Sequence, residues 1–318
     1  MSETKSLQFF VGVFLFPKLR WHRAILFRIP PLVCNFVLHI EGGIFLFRTE
    51  RVPLKIKNER EKMKTLNQFK RKFAFDINNA WEIGVERECF LTDTKGNIVP
   101  IAPKVLKSLE DYPEYTYELS ACQLECRAGP SSIEGLRNEF CKHEAQMTQL
   151  EQRLEFKRSF TEVGPHDIPL DVYPDPSGRY ARIVETLPKE TLRAACRVIG
   201  THVHVGMPDH DTAIRVYNKA TENFEALCEK GNGSFGERLE IYRIMAPNYQ
   251  PKPFGSWQNF YETAIKQNFV DDPKKCWTLI RISVHGTIEF RMFGATSNLD
   301  RVISWAKLCH DLCWQVAH

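Results

Sequence analysis

Three short segments of this chain carry polar side chains two residues apart, within runs that alternate between polar and apolar residues. The pairs are Glu86 and Glu88 in GVERE, His202 and His204 in GTHVHVG, and Glu289 and Arg291 in GTIEFR. Residues two apart on a β-strand project from the same face, about 7 Å from each other along the strand. Each pair is therefore expected to present two functional groups to one face of a sheet.

The carboxylates in these segments could bind divalent cations. Neighbouring carboxylates repel each other unless cations neutralise them, and their oxygens are the ligands that Mg²⁺ prefers. Glu125 is a third candidate ligand, because it shares a face of a second predicted strand with Gln123 and Arg127. Glu118 has the opposite parity on that strand and joins this face only if a bulge intervenes. The structural alternative is an acidic strand face that is merely solvated.

The histidine pair and the Glu-x-Arg pair extend the predicted polar face. Two imidazoles on one side of a strand, with Val203 and Val205 on the other, indicate a polar cavity rather than a buried core position. Glu289 could hold a metal ion, and Arg291 could bind the phosphate that the metal activates. The alternative for this last pair is an ion pair between strands. So many charged groups on one sheet predict a site for several metal ions and an anion.

Periodicity predicts the elements that position these residues. The predicted strands begin near Trp81, Tyr115, Val198 and Trp277. The predicted helices follow Ser131 and Asp209, and a closing helix begins at Leu299. The last strand is expected to fold back near His285 as a hairpin. Strands joined by hairpins and long helical excursions predict an α+β fold with an antiparallel sheet.

Residues 1–62 differ in composition from the rest of the chain. They hold 11 Lys and Arg against 5 Asp and Glu, whereas the whole chain has 43 against 39 and a net charge of +4. None of the motifs lies in this segment. We therefore predict that residues 1–62 are an N-terminal extension and that residues 63–318 form the domain that carries the chemistry. The slightly acidic remainder lacks the basic footprint of a nucleic-acid partner.

Cysteine usage and apolar runs indicate a cytoplasmic protein. Ten cysteines are scattered along the chain without a C-x-x-C pair or a convincing secretion signal, which favours reduced thiols. No apolar run reaches the roughly 20 residues that a membrane span needs. We expect no membrane and no nucleic-acid partner. The oligomeric state stays open, with a homo-oligomer as one alternative.

Five segments, in this order, resemble glutamate–cysteine ligase family 2, a family of carboxylate–amine ligases. They are GVERE, ELSACQLE, RYARIVETL, GTHVHVGMPDHDTAI and GTIEFR. The likeness covers about residues 81–306, and the histidine segment followed by Glu-x-Arg is its most specific part. The last segment is also similar to the sister amidoligases, and both groups belong to the glutamine synthetase-like superfamily. The resemblance implies a curved antiparallel sheet with flanking helices, whose concave face holds the ligands.

The same resemblance implies an ATP-dependent ligase that joins an amino-acid carboxylate to an amine through an acyl phosphate, with two or three Mg²⁺ ions. Glutamate and cysteine are the first candidate substrates. The residues assigned to metal ions are Glu86, Glu88, Glu125, His204 and Glu289, with His202 and Glu118 as further site candidates. Glu86 and Arg291 are the expected catalytic residues. The residues assigned to the nucleotide are Arg291, Arg238 and Arg243.

One position departs from the family pattern, and two other functions stay open. Relatives tend to carry Asp shortly after Glu-x-Arg, where this chain has Gly294. A relative that binds ligands with weak or no turnover is therefore one alternative. A metal-dependent hydrolase with a His-x-His site is the other, but amidohydrolases place such a pair early, on parallel strands. Here the glutamate strands come first.

Overall fold

The computed structural model describes residues 65–318, together with the backbone of two short strands that precede them. The chain divides into two units, Met1–Met63 and Lys64–His318. In the first unit, β1 (Asn35–Glu41) and β2 (Ile44–Glu50) pair antiparallel. The rest of the segment 1–62 lies outside the described residues, so its assignment as an extension stays a prediction.

An antiparallel sheet forms the centre of the second unit. Its strands are β3 (Ile83–Thr92), β4 (Tyr115–Tyr117), β5 (Gln123–Ser131), β6 (Lys157–Ser159), β7 (Gly200–Gly206), β8 (Ile280–Ser283) and β9 (Thr287–Gly294). The spatial order is β4-β5-β3-β7-β9-β8, and β6 pairs with the far end of β3. The sheet is open rather than closed into a barrel. These features confirm the predicted α+β fold with an antiparallel sheet.

Helices connect the strands of this sheet. They are α1 (Leu66–Lys70), α2 (Ala102–Lys107), α3 (Ile133–Leu154), α4 (Arg179–Val184), α5 (Lys189–Arg197), α6 (His210–Glu222), α7 (Phe224–Gly231), α8 (Glu237–Met245), α9 (Trp257–Lys266) and α10 (Leu299–Ala317). The helices predicted after Ser131 and Asp209 and from Leu299 are present as α3, α6 and α10. Ser132, Asp209 and Asn298 cap them by accepting a hydrogen bond from a backbone N–H of the first turn.

One face of the sheet is apolar and packs against α3, α6 and α10. Alternating residues of the central strands are buried there, as Val85, Val203 and Phe290 illustrate. Because side chains alternate along a strand, burial of this set leaves the polar set on the opposite face. The candidate site residues therefore share one side of the sheet.

The continuous strand predicted from Tyr115 to Arg127 is wrong. β4 ends at Tyr117, the chain turns, and β5 begins at Gln123 and pairs with β4. Ser120 stabilises the turn, because its side chain accepts from the N–H of Cys122 and its carbonyl accepts from the N–H of Gln123. This turn, rather than a bulge, frees Glu118 from the strand parity that the sequence suggested.

The hydropathy of the described helices bears on whether one of them could cross a membrane. Among the residues described, no helix combines the length and the apolar character needed to cross a bilayer.

Candidate active site

Four neighbouring strands place the predicted site residues side by side. Across β3 and β7, Glu86 lies opposite His202, and across β7 and β9, His204 lies opposite Glu289. Glu88 lies opposite Glu125 across β3 and β5. Directly opposed residues in an antiparallel pair have Cβ atoms about 5 Å apart, so these side chains touch. The sheet thus joins groups that are far apart in sequence.

Glu86 lies at the centre of this arrangement, between the two histidines. Its Oε2 is 3.0 Å from His202 Nδ1, and its Oε1 is 3.5 Å from His204 Nε2. His202 Nε2 lies 3.7 Å from Glu88 Oε1, and His204 Nε2 lies 4.0 Å from Glu289 Oε2. The two imidazoles therefore bridge three carboxylates along the sheet.

The ligand atoms of this face fall into three overlapping groups, each with its atoms within 4.8 Å of one another. The groups are Glu86 with Glu125 and His202, Glu86 with His204 and Glu289, and Glu88 with Glu118 and Glu125. The structure thus brings together every residue that the sequence assigned to metal ions, and also His202 and Glu118. Their roles as ligands stay a prediction.

At one end of the site three carboxylates lie together with little compensating charge, and we call Glu88, Glu118 and Glu125 the acidic end. Burial and the charge of Glu118 raise the pKa of Glu88 to about 8. Burial and the neighbouring carboxylates raise the pKa of Glu125 well above its usual value, and burial also raises that of Glu118. Glu88 therefore holds a proton near neutral pH unless a cation replaces it.

At the other end two guanidinium groups surround a single carboxylate, and we call Glu289, Arg281 and Arg291 the arginine end. Arg281 Nε donates to Glu289 Oε2 at 2.6 Å, and Arg291 Nη1 donates to Glu289 Oε1. Burial alone would raise the pKa of Glu289, but the charges of Arg281, His204 and Arg291 lower it far below its usual range. Glu289 is therefore ionised in the folded protein.

The pKa values of the two histidines depend on the charged groups around them. Burial and the charge of Arg291 lower the pKa of His202 to about 4, so this imidazole is neutral. Burial would also lower the pKa of His204, but the charges of Glu289 and Glu86 raise it instead. Burial opposes ionisation of Glu86, yet the charge of His204 and a hydrogen bond from His202 lower its pKa well below the usual value.

The surroundings of one buried nitrogen, His204 Nε2, indicate whether the site can bind a cation. His204 Nδ1 lies 2.8 Å from Thr287 Oγ1, while His204 Nε2 is buried without a hydrogen-bond partner among the described residues. That nitrogen faces oxygens of Glu86 and Glu289. Groups that offer only lone pairs face each other stably when a proton or a metal ion lies between them. The donor set of carboxylate oxygens and imidazole therefore fits a divalent cation.

Two cavities open over this face of the sheet. The first, of about 340 Å³, is lined by both ends of the site and by Tyr180, Lys274 and Trp277. The second, of about 320 Å³, lies beside His204 and reaches Asp76. Glu86 and His285 line both cavities. A ligand in either cavity would therefore contact Glu86.

Sequence reasoning missed Arg281, which belongs to the arginine end. Arg281 lies directly opposite Glu289 across the β8–β9 hairpin. The predicted hairpin near His285 could have revealed this contact, because its register would have paired the two residues.

Two arginines assigned to the nucleotide lie elsewhere. Arg238 is buried, and it donates hydrogen bonds from three nitrogens to backbone carbonyls. Arg243 is exposed on α8, where its Nε donates to the Tyr249 hydroxyl. Neither residue lines the two cavities over the site. The structure brings only Arg291 of the three to the site.

The sequence that forms part of this site is similar to a known protein family. A sequence model described as Glutamate-cysteine ligase family 2 matches residues 82–223. The match covers less than half of the chain. It includes the glutamate strands and the histidine strand, whereas Glu289 and Arg291 lie beyond it.

Curated proteins with similar sequences carry the same description. A protein from Gloeobacter violaceus named "Putative glutamate--cysteine ligase 2" is 28% identical over 266 residues, which cover 75% of this chain and 69% of that protein. One of the same name from Roseiflexus castenholzii is 32% identical over 151 residues, which cover 43% of this chain and 39% of that protein. The two matches therefore cover very different fractions of the relatives' lengths, 69% and 39%.

A solved structure shares the fold of this chain. The crystal structure of a bifunctional glutathione synthetase from Pasteurella multocida matches with a TM-score of 0.54 and 14% identity. The match covers 81% of this chain and 41% of that chain. At this identity the likeness shows the fold alone, and it agrees with the α+β architecture described above.

Proposed function

We propose that the chain is an ATP- and Mg²⁺-dependent carboxylate–amine ligase that joins an amino-acid carboxylate to an amine, with glutamate and cysteine as first candidates. One observation carries the proposal: three overlapping ligand groups lie in a row on one sheet face, with a guanidinium at one end. The match of residues 82–223 to the family model and the names of the relatives agree with it. Such a row suits a triphosphate, whose charge is spread over several oxygens.

The proposed reaction has two steps. A carboxylate oxygen attacks the γ-phosphorus of ATP, and the bond to the leaving ADP breaks. The amine then attacks the carbonyl carbon of the acyl phosphate, phosphate leaves, and the nitrogen loses a proton. Phosphorylation is needed because a carboxylate is a poor electrophile, and catalysis depends on positioning and on charge stabilisation.

In this proposal the two ends of the site have separate tasks. Glu86, Glu88, Glu125, His204 and Glu289 would hold Mg²⁺, with Glu118 and His202 beside them. The bound cations would neutralise phosphate charge and orient the phosphate oxygens. Arg291 would stabilise the transferring phosphoryl group, because its Nε has no hydrogen-bond partner among the described residues. Glu289 holds the guanidinium of Arg291 in place.

Coupled ADP release tests this function directly. We expect release with ATP, Mg²⁺ and an amino-acid pair, and a hydroxamate when hydroxylamine replaces the amine. Arg291→Lys should lower kcat by about 100-fold, because it keeps the charge but loses the planar fork. Glu289→Gln should mainly raise the Mg²⁺ concentration for half-maximal rate. Arg137→Lys, in an exposed pair with Asp300, is the matched control and should keep the normal rate.

A binding protein without turnover is the second candidate. Gly294 favours it, because the resemblance to the family implies an Asp shortly after Glu-x-Arg, where this chain has glycine. Such a protein would bind Mg²⁺ and a non-hydrolysable ATP analogue with normal affinity, yet release no ADP with any amino-acid pair. The hydrolase alternative is disfavoured by the antiparallel order of the strands, since the amidohydrolase pattern requires parallel ones. Hydrolysis of an amide by the protein in the absence of ATP would favour the hydrolase alternative again.

A further inference from the structure

The strand that carries Arg291 is irregular beside this residue. Along β7 and β9, Val203 lies opposite Phe290, whereas Thr201 lies opposite Phe293, so two residues of β9 face one residue of β7. The extra residue is a β-bulge, which bends a strand and changes the direction of its side chains. The bulge comprises Arg291 and Met292. The aim of the Arg291 side chain therefore depends on the geometry of this bulge.

A buried arginine on α8 holds the backbone of the bulge. Arg238 Nη2 donates to the carbonyl of Arg291 at 3.3 Å, and its Nη1 donates to the carbonyl of Met292 at 3.2 Å. Its Nε donates to the carbonyl of Ile199 on the neighbouring segment at 2.7 Å. A bulge interrupts the strand ladder, and a buried carbonyl without a partner costs about 1–3 kcal/mol. Arg238 satisfies the two bulge carbonyls and ties them to the segment before β7.

Two opposed glycines leave room for this guanidinium. Gly200 and Gly294 lie directly opposite each other across β7 and β9. A Cβ on Gly200 would lie 2.2 Å from Arg238 Nη2, and a Cβ on Gly294 would come into contact with Glu162 Oε1. Both charged groups thus occupy the space that side chains at these positions would fill. The opposed glycines define a slot that contains Arg238 and Glu162.

Two carboxylates lie near the buried guanidinium. Arg238 is 3% exposed and Glu162 is 7% exposed. A buried cation is costly unless a negative charge lies near it. Burial lowers the pKa of Arg238, and negative charge on Glu88 and, next, on Glu162 opposes that effect. Glu162 is therefore one of two carboxylates that can offset the charge of Arg238.

We propose that Arg238 is a positioning residue, whose guanidinium, with Glu162 as a nearby counter-charge, fixes the bulge that aims Arg291 at the transferring phosphoryl group. This inference rests on the proposed function. The sequence predicted that Arg238 binds the nucleotide directly. In this inference Arg238 acts through Arg291 instead.

Steady-state kinetics of Arg238→Lys provides the first test. An ammonium cannot hold three carbonyls in the plane of a guanidinium, so we expect kcat to fall by about 100-fold. The KM values for ATP and amino acid and the Mg²⁺ demand should change less than about two-fold, because no ligand contact is lost. Arg197→Lys is the matched control, since Arg197 also donates to a backbone carbonyl, that of Gly164. It should keep the normal kcat.

A double variant shows whether Arg238 acts through Arg291. With Arg291→Lys already present, adding Arg238→Lys should lower kcat by less than about three-fold, because residues that act as a unit are not additive. Multiplication of the two single effects would refute the inference. A slow Arg291→Lys beside a normal Arg238→Lys would also refute it and leave the proposed function intact. A normal Arg291→Lys would refute the catalytic assignment itself.

Relocation of the carboxylate tests the slot and does not depend on the folding of Arg238→Lys. Glu162→Gly should lower kcat, and adding Gly294→Asp should restore most of it, because the new side chain fills the vacated space. Gly294→Asp with Glu162 retained should be destabilised by overlap of the two groups. Failure of the double variant to recover kcat over Glu162→Gly would overturn the role of Glu162.

Discussion

The two ends of the site solve the problem of buried charge in opposite ways. At the arginine end one carboxylate has two guanidinium partners, and its pKa lies far below the usual range. At the acidic end three carboxylates lie together, and their pKa values are raised. The first end is complete within the protein, whereas the second requires protons or cations from solution.

This difference assigns different duties to similar residues. A carboxylate that already has fixed partners is preorganised and supports its neighbours before a ligand arrives. Carboxylates with raised pKa values repel one another when they are ionised, and a bound divalent cation removes that repulsion. The acidic end is thus the part of the site most sensitive to metal ions. The predictions below test that contrast, starting with the largest expected effect.

Glu289→Gln should destabilise the metal-free protein by about 3 kcal/mol, because it leaves the buried guanidinium of Arg291 and the partly buried one of Arg281 without their carboxylate. Thermal or urea unfolding in the presence of a chelator measures this. Glu262→Gln, an exposed glutamate on α9, is the control and should stay within about 0.5 kcal/mol of wild type. An equally small effect for Glu289→Gln would mean that the arginine end is not a closed unit.

Glu125→Gln should have the opposite sign and stabilise the metal-free protein by about 1 kcal/mol, since it removes one of three clustered carboxylates. Stabilisation by added Mg²⁺ should shrink at the same time, because a ligand is lost. Unfolding with chelator and with Mg²⁺ gives both values. Destabilisation of the metal-free protein would contradict a repulsive acidic end.

The metal-free protein should lose stability between pH 6.5 and about 8. The pKa of Glu88 is about 8 in the folded protein and 4.5 as its ordinary value, so the folded state binds more protons over this range. Stability therefore falls as pH rises. The raised pKa of His204 acts in the same direction above 6.5, whereas the lowered pKa of His202 acts only between about 4 and 6.5.

Unfolding at several pH values with a chelator tests this trend. Glu88→Gln should flatten the loss above pH 6.5, and saturating Mg²⁺ should reverse it. A wild-type curve that is level from pH 6.5 to 8 would show that the acidic end is ionised without metal.

Thr287→Val should leave the folding stability of the metal-free protein nearly unchanged and act on metal affinity alone. It removes the hydroxyl beside His204 Nδ1 and keeps the size of the side chain. Loss of a partner that orients a histidine ligand typically weakens metal binding by about 10-fold. Calorimetric titration with Mg²⁺ and a non-hydrolysable ATP analogue measures this change. Val205→Ile, on the opposite face of β7, is the control, and an equal loss of affinity there would point to a structural histidine.

Alternation along strands made most of the site predictable from the sequence. A period of two placed Glu86 with Glu88 and His202 with His204, and one buried face then fixed where these side chains project. The order of strands was not readable, because pairing between distant segments depends on tertiary packing. The family resemblance, rather than periodicity, supplied the expectation that these faces meet.

The residues that the sequence misplaced depend on irregular backbone. Glu118 joins the site through a turn inside a predicted strand, and the bulge of β9 at Arg291 and Met292 was not predicted. Arg238 looked like a nucleotide ligand, yet its hydrogen bonds go to the carbonyls of that bulge. Local propensity does not encode such features, because they are stabilised by contacts from other parts of the chain.

The spread of the site over five strands has a consequence for folding kinetics. Its residues come mainly from β3, β5, β7, β8 and β9; β8 and β9 form a hairpin, whereas helices lie between the other strands along the chain. Contacts between distant segments form late, because loop-closure entropy opposes them until neighbouring elements are in place. No single hairpin contains a complete ligand group. The capacity to bind metal should therefore arise only when the central sheet is assembled, so that a partly folded chain cannot sequester the cation.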